Sequence, residues 1–157
     1  MVALKTLIFT IIVPGTVAIL IPYLLLSSNA QHWFPVEFGV VRFVGPVPML
    51  AGILIYLWCA WDFTFTGRGT PAPIDPPKEL VVKGLYRHVR NPMYVGVLLI
   101  LLGEALLFES LIVLLYALLL LSTAHLFVVF YEEPTLVRMF GASYARYRQS
   151  VRRWLPR

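Results

Sequence analysis

The sequence predicts an all-α, polytopic membrane protein with about four transmembrane helices and a cytoplasmic C-terminal helix. Three observations predict it. First, 59% of the 157 residues are hydrophobic and the mean hydropathy is +0.80; soluble domains sit near roughly 45–50% apolar, so this surplus has no soluble core to fill. Second, the apolar residues gather in long runs that are hydrophobic all round rather than striped, as helices in lipid are. Third, the basic residues fall on alternate connections between those runs, the asymmetry that orients membrane proteins. The length suits one domain, taken here as residues 1–157.

The first run, "LIFTIIVPGTVAILIPYLLL" at 7–26, reaches the ~20 apolar residues that a spanning helix needs. Lys5, the apolar stretch and "SSNA" also resemble a cleavable signal. The run exceeds the ~7–15 residues of a signal core, which favours a retained helix, kinked at Pro14 and Pro22. The second run extends from about Val44 to Trp61 and the third from Met93 to about Phe108, both slightly short; the fourth, Leu111 to Tyr131, is long enough. The third and fourth meet through "GEALLFES", which predicts a tight helical hairpin. Between the second and third lies "GRGTPAPIDPPKEL", irregular or extended by its glycine and proline content. Its Gly67-Arg68-Gly69 reads as a turn.

The charge pattern sets the topology. Lys5, then Arg68, Lys78, Lys83, Arg87 and Arg90, then Arg138, Arg146, Arg148, Arg152, Arg153 and Arg157 lie before the first run, between the second and third, and after the fourth. The other two connections hold Arg42 alone. Both termini and the 62–91 connection are therefore expected in the cytoplasm. The net charge of +5 comes without a basic tract interleaved with aromatics, so it suits anionic lipid headgroups and not nucleic acid. The lone cysteine, Cys59, excludes a disulfide framework, and His32, His88 and His125 have no metal-ligand spacing.

Two places carry candidate chemistry. In "VRNPMYVG", Asn91 before Pro92 reads as an N-cap followed by the first helical residue. Such a helix start offers free N–H groups and a positive dipole end to an anion, with Arg87 and Arg90 beside it. In "FYEEP", Pro134 disfavours helical geometry at Glu133, so the fourth run is expected to end or kink there. Glu132 and Glu133 would then add charge to an already negative helix end. Adjacent helical residues point ~100° apart, so one set of arginines among Arg87, Arg90 and Arg138 is expected to satisfy one glutamate, leaving the other for a ligand cation. His125 lies seven residues before Glu132, on the same helical face and deeper. An anion site facing a cation site suits an amino-acid zwitterion. S-adenosyl-L-methionine adds a sulfonium to that zwitterion.

At these residues a family resemblance enters. "RNPMYVG" (90–96), "YEEP" (131–134) and "FGASYARYRQSVRRWLP" (140–156) resemble the integral-membrane methyltransferases, the group of isoprenylcysteine carboxyl methyltransferase and phospholipid N-methyltransferase. The likeness covers about residues 80–156, and three motifs in this order are specific where each alone is weak. Asn91-Pro92-Met93-Tyr94 is similar to the phospholipid enzymes; Phe140-Gly141 with Tyr144 and Tyr147 is similar to the isoprenylcysteine enzymes, which usually carry histidine where this chain has Asn91. The resemblance implies S-adenosyl-L-methionine as cofactor, held by Arg90, Asn91, Pro92, Tyr94, Gly96, His125, Tyr131, Glu132 and Glu133. Glu132 or Glu133 would take the ammonium; Arg90 and the Asn91 helix start would take the carboxylate. Gly96 is also a candidate close-packing position. The implied walls are the third and fourth helices and a C-terminal helix from about Thr135. The residues expected at the reacting centre are Arg90, Glu132 and His125. The implied reaction is in-line displacement onto a lipophilic or lipid-linked carboxylate, thiol or amine, with an acceptor entering from membrane lipid. No metal is implied.

Two other classes fit part of the pattern. A sterol-reductase-like enzyme using NADPH would need a site for a dianionic phosphate, against which two glutamates argue. A transporter-like helical protein would place its glutamate nearer mid-span.

Overall fold

The computed structural model describes residues 2–28, 35–65 and 79–156. The turn expected at Gly67-Arg68-Gly69, and His32, Lys78 and Arg157, lie outside the described residues. All the regular structure described is helical. It comprises α1 (Val2–Gly15), a π-helical segment (Thr16–Leu20), α2 (Ile21–Ser27), α3 (Pro46–Phe65), α4 (Pro92–Leu107), α5 (Leu111–Phe127), a second π segment (Val128–Glu132) and α6 (Glu133–Ser150). Short 3₁₀ turns occupy Gly39–Val44 and Gly84–Arg87.

Three continuous helical stretches are long and apolar enough to cross a membrane: Ala3–Ser27, Gly39–Phe65 and Leu111–Ser150. The expectation of about four spans is met by these together with α4, which at 16 residues is about 24 Å long. The second span is longer than its apolar run because the Gly39–Val44 turn extends it.

The first span keeps its helical path through both prolines. A π turn bonds the Ile21 N–H to the Thr16 carbonyl. The next bond in that register would need an N–H on Pro22, which has none. The Val17 carbonyl instead accepts the Tyr116 hydroxyl at 3.0 Å, which fastens this span to α5. Two more hydroxyl contacts fasten α1 to α3: Thr10 with Tyr56 at 3.0 Å, and Thr64 donating to Thr6 at 3.0 Å.

Helix α4 packs most extensively on α3. A Cβ on Gly96 would stand 2.9 Å from the Gly52 carbonyl oxygen, and one on Gly52 would overlap the Gly96 carbonyl. Only glycines permit this approach. Helices α4 and α5 form the expected hairpin. Ser110 caps α5, its hydroxyl accepting from the Val113 N–H, and Glu109 accepts the Phe38 and Gly39 N–H groups at 2.9 and 3.0 Å.

Of the two outcomes expected from Pro134, an end or a kink at Glu133, the fourth span shows no end: the helix continues through a local change of register. The π segment absorbs the proline: the Glu133 N–H bonds the Val128 carbonyl, Pro134 enters within the first two residues of α6, and Glu133 stays helical at φ −61°, ψ −45°. The freed helix end expected there does not form. The break comes at Gly141, with φ 50° and ψ −123°, a left-handed conformation that suits glycine. Helix α6 starts at Glu133, near the Thr135 expected for the C-terminal helix, and Gly141 kinks it partway. Its Tyr144 and Tyr147 pack with Val151, and the Tyr147 hydroxyl donates to the Tyr86 carbonyl at 2.6 Å. The following tail pairs with the entry to α4: the Arg90 and Asn91 N–H groups donate to the Arg152 and Arg153 carbonyls at 2.9 and 3.2 Å. These contacts place the start of α1, the end of α3, the start of α4 and the C-terminal tail on one side of the bundle.

Candidate active site

On that side opens a cavity of about 620 Å³. Its mouth is charged and hydroxylated, lined by Arg90, Asn91, Tyr94, Tyr131, Glu132, Glu133, Thr135 and Tyr144; Phe9, Val13, Val17, Tyr56, Val97, Leu98 and Leu120 line the rest, and Val13 is exposed.

The two glutamates have unequal surroundings. Glu133 is buried and carries two guanidinium partners. Its Oε1 lies 3.1 Å from an Arg90 terminal nitrogen and 2.7 Å from Arg153 Nε, and its Oε2 accepts from Arg153 at 3.1 Å. This bidentate arrangement is the strong form of the contact, and it holds the Arg153 guanidinium above its ordinary pKa, chiefly through the hydrogen bond to Glu133. Glu132 is half-buried and its Oε2 accepts the Tyr94 hydroxyl at 3.3 Å. Among the described residues, no cation pairs with it. Adjacent carboxylates separate in this way because the chain turn sends them in different directions.

Of the arginines expected around the glutamates, Arg90 reaches Glu133, whereas Arg138 bonds Thr135 on its own helix at 3.3 Å. The second partner, Arg153, was not singled out by the sequence reading, although it lies inside the "VRRWLP" stretch. Arg90 is buried beside the Tyr144 hydroxyl, 3.5 Å away, and its Nε has no hydrogen-bond partner.

Asn91 occupies the N-cap position of α4, with Pro92 following. Its side chain does not cap the helix. The Asn91 amide donates to the Arg153 carbonyl at 3.2 Å, tying the C-terminal tail to the site and leaving the first turn of α4 without a side-chain cap. Pro92 is buried at the helix start, outside the cavity lining.

Two further residues stand away from the cavity. Gly96 faces α3. His125 is exposed; its Nδ1 accepts the Trp154 indole N–H at 3.1 Å. Seven residues of regular helix would have set His125 beneath Glu132. The π segment between them inserts an extra residue into the turn, which offsets the two faces by about a quarter turn. Trp154 in turn meets the Tyr94 ring edge-on at 6.2 Å. Nothing in the sequence marks Phe9, Val13 and Val17 as cavity residues, since a wall residue on an apolar span looks like any other.

Chemically, the mouth of the cavity offers an unpaired carboxylate, a buried guanidinium with a free donor, an uncapped helix start and a cluster of tyrosines. No curated protein matches the chain significantly. The family model described as phospholipid methyltransferase matches residues 40–143, a range containing α3 to the start of α6 and both glutamates. The chain belongs to the phospholipid methyltransferase family.

Proposed function

We propose that the protein uses S-adenosyl-L-methionine to methylate a lipophilic or lipid-linked acceptor, a carboxylate, thiol or amine, at the mouth of this cavity. The observation that carries the reading is the inequality of the glutamates: Glu133 is neutralised by Arg90 and Arg153, while Glu132 faces the same cavity with a hydroxyl for a partner. The residues present fit the donor. Glu132 binds the ammonium. The unsatisfied Arg90 Nε and the uncapped start of α4 at Asn91 bind the carboxylate. Tyr94, Tyr131 and Tyr144 wall the remainder and exclude water. His125 acts through Trp154, which it holds against Tyr94. Bound S-adenosyl-L-methionine supplies a methyl group on a sulfonium sulfur, an electrophile that needs neither a metal nor an acid. A thiolate or carboxylate acceptor needs no base from the chain.

The site and both termini face the cytoplasm in this reading, because the basic residues gather on that side. The water-soluble donor arrives there, and the acceptor arrives from the bilayer. The family match supports methyl transfer and favours neither the reductase nor the transporter-like alternative.

The test is transfer of labelled methyl from the donor to a membrane lipid extract by the purified chain in nanodiscs, with identification of the labelled product. Titrations with S-adenosyl-L-methionine and with NADPH accompany it. Labelled lipid and binding of the donor support the reading; binding of NADPH without the donor overturns it.

A further inference from the structure

We infer that Trp154 is a positioning residue for the donor's ammonium site: held by the neutral imidazole of His125, it fixes the Tyr94 ring that orients Glu132, and a proton on His125 releases it. The inference rests on the methyltransferase reading and adds a regulation of the same site.

The contacts form one line into the cavity. Tyr94 and Glu132 line it, whereas His125 and Trp154 do not. The Tyr94 hydroxyl, 3.3 Å from Glu132 Oε2, is the hydrogen bond that holds this carboxylate. Among the described residues no cation competes for it, so where Glu132 points depends on where the Tyr94 ring stands. From outside the lining, Trp154 meets that ring edge-on at 6.2 Å. Aromatic rings favour this arrangement, which fixes their mutual angle.

The backbone that carries Trp154 is itself anchored. The Arg152 and Arg153 carbonyls accept the Arg90 and Asn91 N–H groups, and the Arg153 guanidinium grips Glu133. The indole is placed by a further bond, 3.1 Å from its N–H to His125 Nδ1. Beyond Trp154 the tail gives no support, since Leu155 and Pro156 are exposed. The angle of the indole against Tyr94 therefore depends on the His125 contact.

The direction of that bond makes it sensitive to protons. An indole N–H only donates, so His125 Nδ1 is the acceptor and the imidazole carries its proton on Nε2. A second proton takes the Nδ1 lone pair and sets two N–H groups against each other. Imidazole is the side chain that ordinarily changes charge between about pH 5 and 8. The other charged or titratable groups around the contact are engaged elsewhere: Tyr94 on α4 with Glu132, and Arg153 on the tail with Glu133. Glu132, on the helical path of His125 itself, is turned aside by the π segment. His125 is exposed, so a proton reaches it without opening the cavity. With the imidazole neutral, Trp154 is in place and Glu132 is set for the ammonium. On acidification the indole swings free, Tyr94 loses its stop, and donor affinity falls.

The experiment titrates the full chain in nanodiscs with S-adenosyl-L-methionine, and with a deaminated analogue that lacks the ammonium, at about pH 8 and about pH 6, on either side of ordinary imidazole titration. The unaltered protein should lose up to about tenfold in donor affinity on acidification, the range of one net hydrogen bond, and little for the analogue. His125→Asn places an amide oxygen where Nδ1 stood and does not titrate, so its donor affinity should be equal at both pH values. Trp154→Phe keeps a ring and drops the N–H. At the higher pH it should bind the donor as weakly as the unaltered protein does at the lower one, with no further acid loss. An equal acid loss in His125→Asn would assign the titration to Glu132. Parental affinity of Trp154→Phe at the higher pH, or equal losses for donor and analogue, would leave Trp154 a structural contact. Each of these overturns the inference while the methyltransferase reading stands. Failure of the unaltered protein to bind the donor at either pH overturns both.

Discussion

Replacing each glutamate by glutamine removes one charge while keeping shape, and the two changes should fail differently. Glu132→Gln retains an acceptor for the Tyr94 hydroxyl, now 3.3 Å away, and disturbs no ion pair. What it removes is the charge offered to a ligand ammonium. A charge-assisted hydrogen bond contributes roughly 1.5–3 kcal/mol, so donor affinity should fall about ten- to a hundredfold, with little change in thermal stability. Glu133→Gln leaves Arg90, whose side chain is 9% exposed, and Arg153, at 29%, facing a neutral amide. Breaking a buried pair by removing one partner costs roughly 3–5 kcal/mol. The lower end applies here because Arg153 is partly solvated. This variant should melt well below the parent, and it should also release the tail that Arg153 anchors. Isothermal titration with S-adenosyl-L-methionine and thermal unfolding, both in nanodiscs, separate the effects. If Glu132→Gln bound the donor normally and a folded Glu133→Gln did not, the assignment of the glutamates would be reversed.

Arg90→Ala should weaken intact donor by about ten- to a hundredfold and leave a decarboxylated analogue nearly unaffected; equal losses for both would mean that Arg90 serves the fold through Glu133 alone. Asn91→Ala should act on the tail and not on helix capping, costing about 1 kcal/mol and raising amide hydrogen exchange at positions 90 and 91, whose N–H groups donate to the Arg152 and Arg153 carbonyls; a loss of helix at the start of α4 with those two amides still protected would contradict the Asn91 contact with Arg153. Gly96→Ala should separate α3 from α4 and destabilise by about 1–3 kcal/mol, with donor affinity of the folded protein unchanged; reduced affinity at unchanged stability would put Gly96 in the cofactor site. Reporter fusions at Pro73 and at the C-terminus should read the same side and a fusion at Gln31 the opposite one; opposite signs at Pro73 and the C-terminus would dismantle the shared mouth of the cavity.

The sequence by itself determined the class of the protein and the address of its chemistry. An apolar surplus, all-round hydrophobic runs and basic residues on alternate connections suffice for a helical membrane protein, because lipid imposes a length and a polarity on every span. Asn91-Pro92 marked the start of α4 for a local steric reason. Two glutamates at the end of an apolar run demanded partners on electrostatic grounds. Which partners they found was decided by the tertiary structure. Arg153 reaches Glu133 from twenty residues away only because Gly141 turns the chain and Asn91 holds the returning tail. Pro134 predicts an end or a kink, and the structure answers with a π turn, because hydrogen-bond register can shift to absorb a missing N–H. That shift rotated His125 away from the face of Glu132 and onto Trp154. The apolar part of the cavity wall was invisible in the sequence for a related reason. Within an apolar span, a residue facing lipid and a residue facing a cavity have the same chemistry, and packing against neighbouring helices alone distinguishes them.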